Sequence, residues 1–445
     1  MTGNMDMQAT PMATTGSAQA QVFITLAAVA LVAATLALHI GLPLWDHIDL
    51  VPMYRAWQAH DLSSSGFWRV HDGSHLHTSA YAVLLVTTWL SHGRPWLDCL
   101  VSALLMVVSA LLLLRLARQV LPQGIGRGGW FVVGLLAFNP GHLVNLQWGW
   151  QVAVFISLLG IVAPVCLLGA PAAPGWKERA AALLAAGLGV MSFGTTLAVF
   201  PVAVALLLSR QEWRWPRRIA AALPWLLLLA GALVWMRWDH AGEAVARPGV
   251  LALLAYAGNY LGGGLLRFAT PLALPWLGIA VVVAICAARV VPRQLLLPCL
   301  ALMVCAAGAA LLTALGRAAP FGAEHGFMTR YVSYSLLFWF GWFVLVLGAL
   351  HARSSWRRRL LPLLWLASVF AVCNALHMGN KAVKVSRNAD SFARQIRAQY
   401  PHYDRALLER AYDGRADIAA ERLEEWRHLG FAPFDQPAAG LQGTE

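Results

Sequence analysis

Apolar runs of about 20 residues recur along this chain, and a helix of that length is what crosses a hydrocarbon core of roughly 30 Å. They lie near 21–43, 76–92, 98–120, 130–141, 150–170, 180–209, 220–237, 271–290, 294–316, 330–350 and 358–377. Little charge separates them: 59% of the 445 residues are apolar, 12% are charged, and the mean hydropathy is +0.61. A soluble fold needs more charge than that to cover its surface. The expected fold is therefore all-α, a polytopic transmembrane helix bundle of about 10–12 spans with the lipid bilayer as its solvent.

Three regions follow. Residues 1–20, rich in Ala, Thr, Met and Gly and free of Lys and Arg, read as a disordered N-terminal tail and lack the basic start of a signal peptide. Residues 21–377 form the transmembrane domain, with a first non-cytoplasmic loop at 44–75. Residues 378–445 read as a small soluble helical tail, with apolar positions Phe392, Ile396, Tyr400, Leu407, Leu408, Ala411, Ile418, Leu423 and Trp426 at helical spacing. "YPHYD" and "DGRAD" break that tail into short helices. It is too small to bury a core alone, so it is expected to pack back onto the membrane domain.

The charge is unevenly placed. Residues 1–377 hold 11 of the 21 acids and 23 of the 33 Lys and Arg, so the whole +12 lies there. Basic loops at 210–218, 289–293 and 353–359 orient the second half with those loops in the cytoplasm and 238–270, 317–329 and the tail on the other side. The basic excess reads as positive-inside loops and lipid contacts, and no nucleic-acid-binding pattern is present. The six cysteines (99, 166, 286, 299, 305 and 373) sit in or beside apolar segments and read as core residues.

The first half poses a parity problem. Arg115, Arg118 and Arg127, then Lys177 and Arg179, also favour the cytoplasm, which full crossing of every apolar run forbids. The preferred resolution is that 76–92 does not cross fully, while 180–191 and 196–209 are two short crossings around "SFGTT". The alternative puts the N-terminus outside.

Four constellations interrupt the apolar pattern. The first loop, "WDHIDLVPMYRAWQAHDLSSSGFWRVHDGSHLHTSAY", carries Asp46, Asp49, Asp61 and Asp72, four of the eleven acids of residues 1–377. An acid at a span's end can be held within reach of a substrate, although loop acids and helix caps are the plainer reading. His71, His75 and His77 with Asp72 offer donors for a divalent metal; Gly73 opposes a helix there and no fourth ligand stands nearby, so no cofactor is assigned. "FNPGHLVNLQWGWQ" places Asn145, Gln147, Trp148 and Gln151 together, rings and amides of the kind that bind sugars, or else an aromatic belt. "GNYLGGGLLRFATP" offers Arg267 beside three glycines, as a ligand approach or as a tight turn. "GAEHGFMTRYVSYSLLFWFGW" opens a span with Glu324, His325, Arg330 and Tyr331; an arginine at a non-cytoplasmic helix end suits a phosphate, or an ion pair with Asp46 or Asp49.

At these residues the chain resembles bacterial polytopic membrane proteins of GT-C glycosyltransferase type. The motifs are "WDHID" at 45–49, "HDGSH" at 71–75, "NLQWGWQ" at 145–151, "TRYVSYSLLFW" at 329–339 and "HLGFAPF" at 428–434. They span nearly the whole chain in order, "TRYVSYSLLFW" being the specific one. "HDGSHLH" departs from the group's pattern by lacking an arginine after the second histidine.

The resemblance implies a GT-C-like fold in a bacterial inner membrane and transfer of a sugar from a polyprenyl-phosphate-linked donor to a glycan or lipid acceptor on the non-cytoplasmic face. It makes Asp46 the first and Asp49 the second candidate for the general base, and Arg330, with Tyr331 beside it, the phosphate holder. Asp72, His71, His75, Asn145, Gln147, Trp148, Gln151, Arg267, Glu324 and His325 complete the expected substrate-binding set. Two rivals stand beside this reading: a polysaccharide or O-antigen polymerase relying on loop arginines, and a lipid-linked-sugar transporter or flippase. The second would carry ionisable residues mid-span, and no acid lies near the middle of an apolar run.

Overall fold

The structure, a computed structural model, describes residues 15–71, 75–122, 125–238, 248–267, 272–400, 402–432 and 434. In chain order its helices are α1 (Thr15–Leu38), α2 (Leu50–Gln58), α3 (Thr78–Ser91), α4 (Trp96–Val120), α5 (Arg127–Ala137), α6 (Leu143–Leu146), α7 (Val152–Leu168), α8 (Trp176–Val190) and α9 (Val199–Leu208). Then follow α10 (Trp215–Trp238), α11 (Val250–Gly262), α12 (Leu274–Ala287), α13 (Arg293–Phe321), α14 (Val332–Ala352), α15 (Ser354–Gln399), α16 (Arg405–Ala411) and α17 (Ala416–His428). The only strands among the described residues are β1 (Val70–His71) and β2 (His75–Leu76), a minimal antiparallel hairpin. The fold is all-α, and among the described residues seven helices are long and apolar enough to cross a membrane. Four shorter apolar helices accompany them, at 78–91, 194–208, 250–262 and 274–287.

Burial sorts the long helices. In Gly149–Leu168 the most apolar stretch is 89% buried and in Thr329–Ala352 it is 83%, against 11% in the first helix. α7 ("VAVFISLLGIVAPVCLL") is apolar on every side, as a helix surrounded by other helices must be. α7 packs on α8 through small residues: a Cβ built on Gly160 would stand 2.8 Å from the Cα of Gly189. Side chains there would force the backbones apart, and close approach is what holds helices together in lipid. Ser157 adds hydroxyl contacts to Thr196 (2.7 Å) and Thr195 (3.1 Å), so "SFGTT" is bonded inside the bundle.

Helix length and helix-end contacts set the short helices of the first half apart. α3 has 14 residues, about 21 Å, short of the roughly 30 Å core. Its first turn is tied to the break before α9 by Ser79 N–H to the Met191 carbonyl, 3.0 Å. Its last turn meets the C-terminal tail, where Ala432 N–H bonds the His92 carbonyl, 3.1 Å. Both contacts belong to the side opposite the basic loops, so α3 lies along that side. α5 then stops at Ala137, where Asn139 caps a short turn by accepting from Gly141 N–H (2.8 Å) and Pro140 removes a donor. The irregular stretch 138–151 that follows is largely buried in protein, as non-helical backbone within a membrane domain must be.

α15 does not end at residue 377. It is one helix of 46 residues, about 69 Å long, more than twice what a crossing needs. Its far half carries α16 and α17 over the first loop, with the breaks falling at 400–404 and 412–415. There Leu407, Leu408, Tyr412 and Leu423 pack with Ile40, Leu42, Leu44 and Ile48. Trp426 and Phe431 pack with Leu50 and Tyr54 of the segment after the first span.

Candidate functional site

At the end of the bundle opposite the basic loops, a cavity of about 470 Å³ opens between the end of α13, the loop to α14, the break before α9 and β2. Its polar lining is His75, Thr195, Arg317, Arg330 and Tyr331, and its apolar lining includes Met236, Leu312, Leu315 and Phe321. No acid is among the described lining residues. Two guanidiniums, two hydroxyls and an imidazole over an apolar wall make a site for an anionic head on an apolar tail.

Local chemistry explains how the arginines reach one cavity. α13 ends where Pro320 precedes Gly322, whose φ of 74° only glycine adopts without strain. Two short 3-10 turns, Ala323–Phe327 and Thr329–Tyr331, then lead into α14 and turn Arg330 back toward Arg317. The loop is fixed from behind by "FNPGHLVNLQWGWQ". Asn145 Nδ2 donates to the carbonyls of Thr329 (3.4 Å) and Arg330 (3.3 Å), and His142 Nδ1 meets Ser333 Oγ at 3.0 Å. Asn145 thus holds the backbone that carries Arg330.

His325 links the cavity's groups. Arg330 Nη2 lies 3.4 Å from its Nε2, Tyr256 Oη lies 2.8 Å from its Nδ1, and Tyr256 donates in turn to Tyr331 Oη at 3.2 Å. One tautomer satisfies all three contacts, with the proton on Nδ1 and the Nε2 lone pair facing Arg330. Burial, then the guanidiniums of Arg330 and Arg317, push His325 down to about 4, so the ring is neutral at pH 7. The chain leaves the Tyr331 hydroxyl hydrogen free to donate. Arg330 Nε is buried and has no hydrogen-bond partner among the described residues.

The first-loop acids stand elsewhere. Asp46 and Asp49 share the 3-10 turn Trp45–Asp49, and one guanidinium of the tail grips both: Arg415 lies 3.2 Å from Asp46 Oδ1 and 2.9 Å from Asp49 Oδ2. Arg330 is paired with neither, because the loop turns it toward His325. Trp45, at φ 54°, is held in the left-handed region and packs edge-on against Trp148, 4.9 Å between centroids. Between the two acids, His47 points inward, 1% exposed, and stands 3.6 Å from Asp98 of α4. The room exists because residue 149 is glycine: a Cβ there would lie 2.8 Å from Asp98 Oδ2 and 3.0 Å from His47 Cε1. From His47 a run of rings continues through Trp150 (6.2 Å) and His77 (5.3 Å) to His75 (5.2 Å), which lines the cavity.

The remaining expected residues divide plainly. His75, Arg330 and Tyr331 line the cavity and His325 adjoins it, whereas Asn145, Gln147, Trp148, Gln151, Arg267 and Glu324 do not line it. Gln147 is fully buried, with both ends of its amide unbonded among the described residues. Arg267 reaches the Met328 carbonyl at 3.4 Å, with Phe327 beside it, and burial lowers its pKa to about 10. The glycines before it admit protein: Gly264 N–H donates to Ser335 Oγ of α14, 2.8 Å. Asp72 and the side chain of His71 lie outside the described residues. The helix-face geometry that would gather these histidines is replaced by the β1–β2 pair, in which His71 and His75 are register partners. Among the described residues no three of His, Cys, Asp and Glu form a metal-holding group.

Four participants escape the sequence: Arg317, Tyr256, Asp98 and Arg415. Arg317 carries the same signal as Arg330, an arginine at the wrong end of a span for the positive-inside bias. Tyr256 and Arg415 carry none, since only folding brings them to His325 and Asp46. Comparison with protein-family models, curated proteins and solved structures finds no match.

Proposed function

We propose that this protein is a glycosyltransferase of a bacterial inner membrane, GT-C-like in plan, which takes a sugar from a polyprenyl-phosphate-linked donor. The observation that carries the reading is the cavity in which Arg317 and Arg330 stand beside an apolar wall. A lipid phosphate combines the two chemistries that such a lining accepts. In this scheme the acceptor hydroxyl loses its proton to the Asp46 carboxylate, with Asp49 as second candidate, and its oxygen attacks the anomeric carbon. The bond from that carbon to the phosphate oxygen breaks, and the polyprenyl phosphate leaves with the charge stabilised by Arg317, Arg330 and the Tyr331 hydroxyl. A glycan or lipid acceptor then enters from the side of the first loop and tail, where the acids lie.

A second reading is a carrier or flippase for the same lipid-linked sugar, favoured by Asp46 and Asp49 standing outside the cavity lining and pairing with Arg415. One experiment separates them: intact masses of the surface glycans in a deletion strain complemented with wild type, Asp46→Asn or Arg330→Gln. Loss of one sugar residue that neither variant restores supports transfer. Restoration by Asp46→Asn with failure of Arg330→Gln supports the carrier. Unchanged glycans on deletion overturn both.

A further inference from the structure

A second cavity, about 780 Å³, lies at the opposite end of the bundle, on the side of the basic loops. Its walls are Phe131 of α5, Phe343 and Leu347 of α14, and Leu361, Trp365 and Val369 of α15. Phe131, Trp365 and Val369 are at least half exposed, so this is a groove open to the surroundings of the bundle. From Arg357 to Cys373 it follows 16 residues of α15, about 24 Å, longer than half of the roughly 30 Å hydrocarbon core.

The polar residues gather where α14 passes into α15: His351, Ser354 and Arg357. His351 Nδ1 donates to the Leu347 carbonyl at 3.0 Å, leaving Nε2 uncommitted. Arg353 stands just before α15 and Arg358 and Arg359 follow Arg357 in its first two turns, and no acid is among the described lining residues. Two glycines shape its upper wall. A Cβ built on Gly126 or Gly128 meets nothing within 4 Å, so neither glycine is required by protein packing, and their missing side chains widen the groove.

We infer that this groove is a binding site for an anionic membrane phospholipid, one acyl chain lying along α15 and the phosphate at Arg357 and His351. Positive charge at one end and hydrocarbon along the rest match a phospholipid's own order of parts, and basic pockets between helices on this face select anionic headgroups. The site is remote from the arginine cavity, and its test does not depend on sugar transfer.

Purified full-length protein in mixed micelles is offered phosphatidylglycerol and phosphatidylcholine of identical chains, and lipid retained through delipidation is counted by native mass spectrometry. Wild type is expected to retain one phosphatidylglycerol in preference to phosphatidylcholine. Arg357→Gln should lower that preference about fivefold, the worth of one basic contact near a membrane surface. Gly128→Leu should fill the groove and lose retention of both lipids, with an unchanged melting temperature in phosphatidylcholine alone; Gly126→Leu repeats the reading. Equal retention of the two lipids by wild type overturns the headgroup assignment. Retention unchanged in both glycine variants overturns the groove as the site.

Discussion

Replacing Arg415 by glutamine removes the charge that joins the C-terminal tail to Asp46 and Asp49 while keeping side-chain length. The guanidinium is 31% exposed and its partners 38% and 30%, so water screens both contacts. Ion pairs of this exposure contribute about 0.2–1 kcal/mol each, and two that share one guanidinium together contribute about 1 kcal/mol. Burial holds the tail far more strongly. Leu423 is fully buried against the turn after the first span, and its replacement by alanine costs about 2–5 kcal/mol. Hydrogen exchange of residues 405–428 in nanodiscs reads both. Arg415→Gln should raise the local opening constant about fivefold, and Leu423→Ala by thirtyfold or more, roughly. Raising the salt from 0.05 to 0.5 M should reproduce most of the Arg415→Gln effect in wild type and add little to the variant. If Arg415→Gln releases the tail as fully as Leu423→Ala, or salt has no effect, the division between charge and burial drawn here is wrong.

Further expectations concern the interior and the cavity. Gly149→Ala places a methyl against Asp98 and His47 and should destabilise the protein by about 1–3 kcal/mol, seen as a lower melting temperature. Burial pushes His47 down to about 4 from 6.5, so the folded state resists a proton that the unfolded state accepts. The resulting stability is fully present above pH 6.5 and is lost as pH falls toward 4; His47→Gln should remove this contribution, seen as a changed slope of melting temperature against pH across that window. Tyr256→Phe leaves His325 Nδ1 without its partner and frees Tyr331 to rotate; binding of a polyprenyl phosphate, measured by titration in nanodiscs, should weaken about tenfold. Arg317→Gln should weaken the same binding about tenfold or more, and an effect below twofold would remove Arg317 from the site.

What the sequence by itself determined is what depends on local composition and on the solvent. Hydrocarbon forces backbone groups to bond within their own helix, so long apolar runs could be little else than crossing helices. Arginine placement carried a further signal: Arg330, read as an arginine against the positive-inside bias, lines a cavity. The stretch "TRYVSYSLLFW" falls on the start of α14, where a 3-10 turn puts Arg330 and Tyr331 side by side. Tertiary structure alone decided which of the polar residues meet. Arg415 reaches Asp46 because α15 runs 46 residues without a break and carries the tail back over the first loop, a contact across 369 positions of sequence. Asn145 faces the Thr329–Tyr331 turn, and "GGG" faces Ser335, because each packs against helices far away in sequence. Spacing within one segment carries no information about such partners. The period of a helix says which side of it is apolar, and only the packed bundle says what stands on that side.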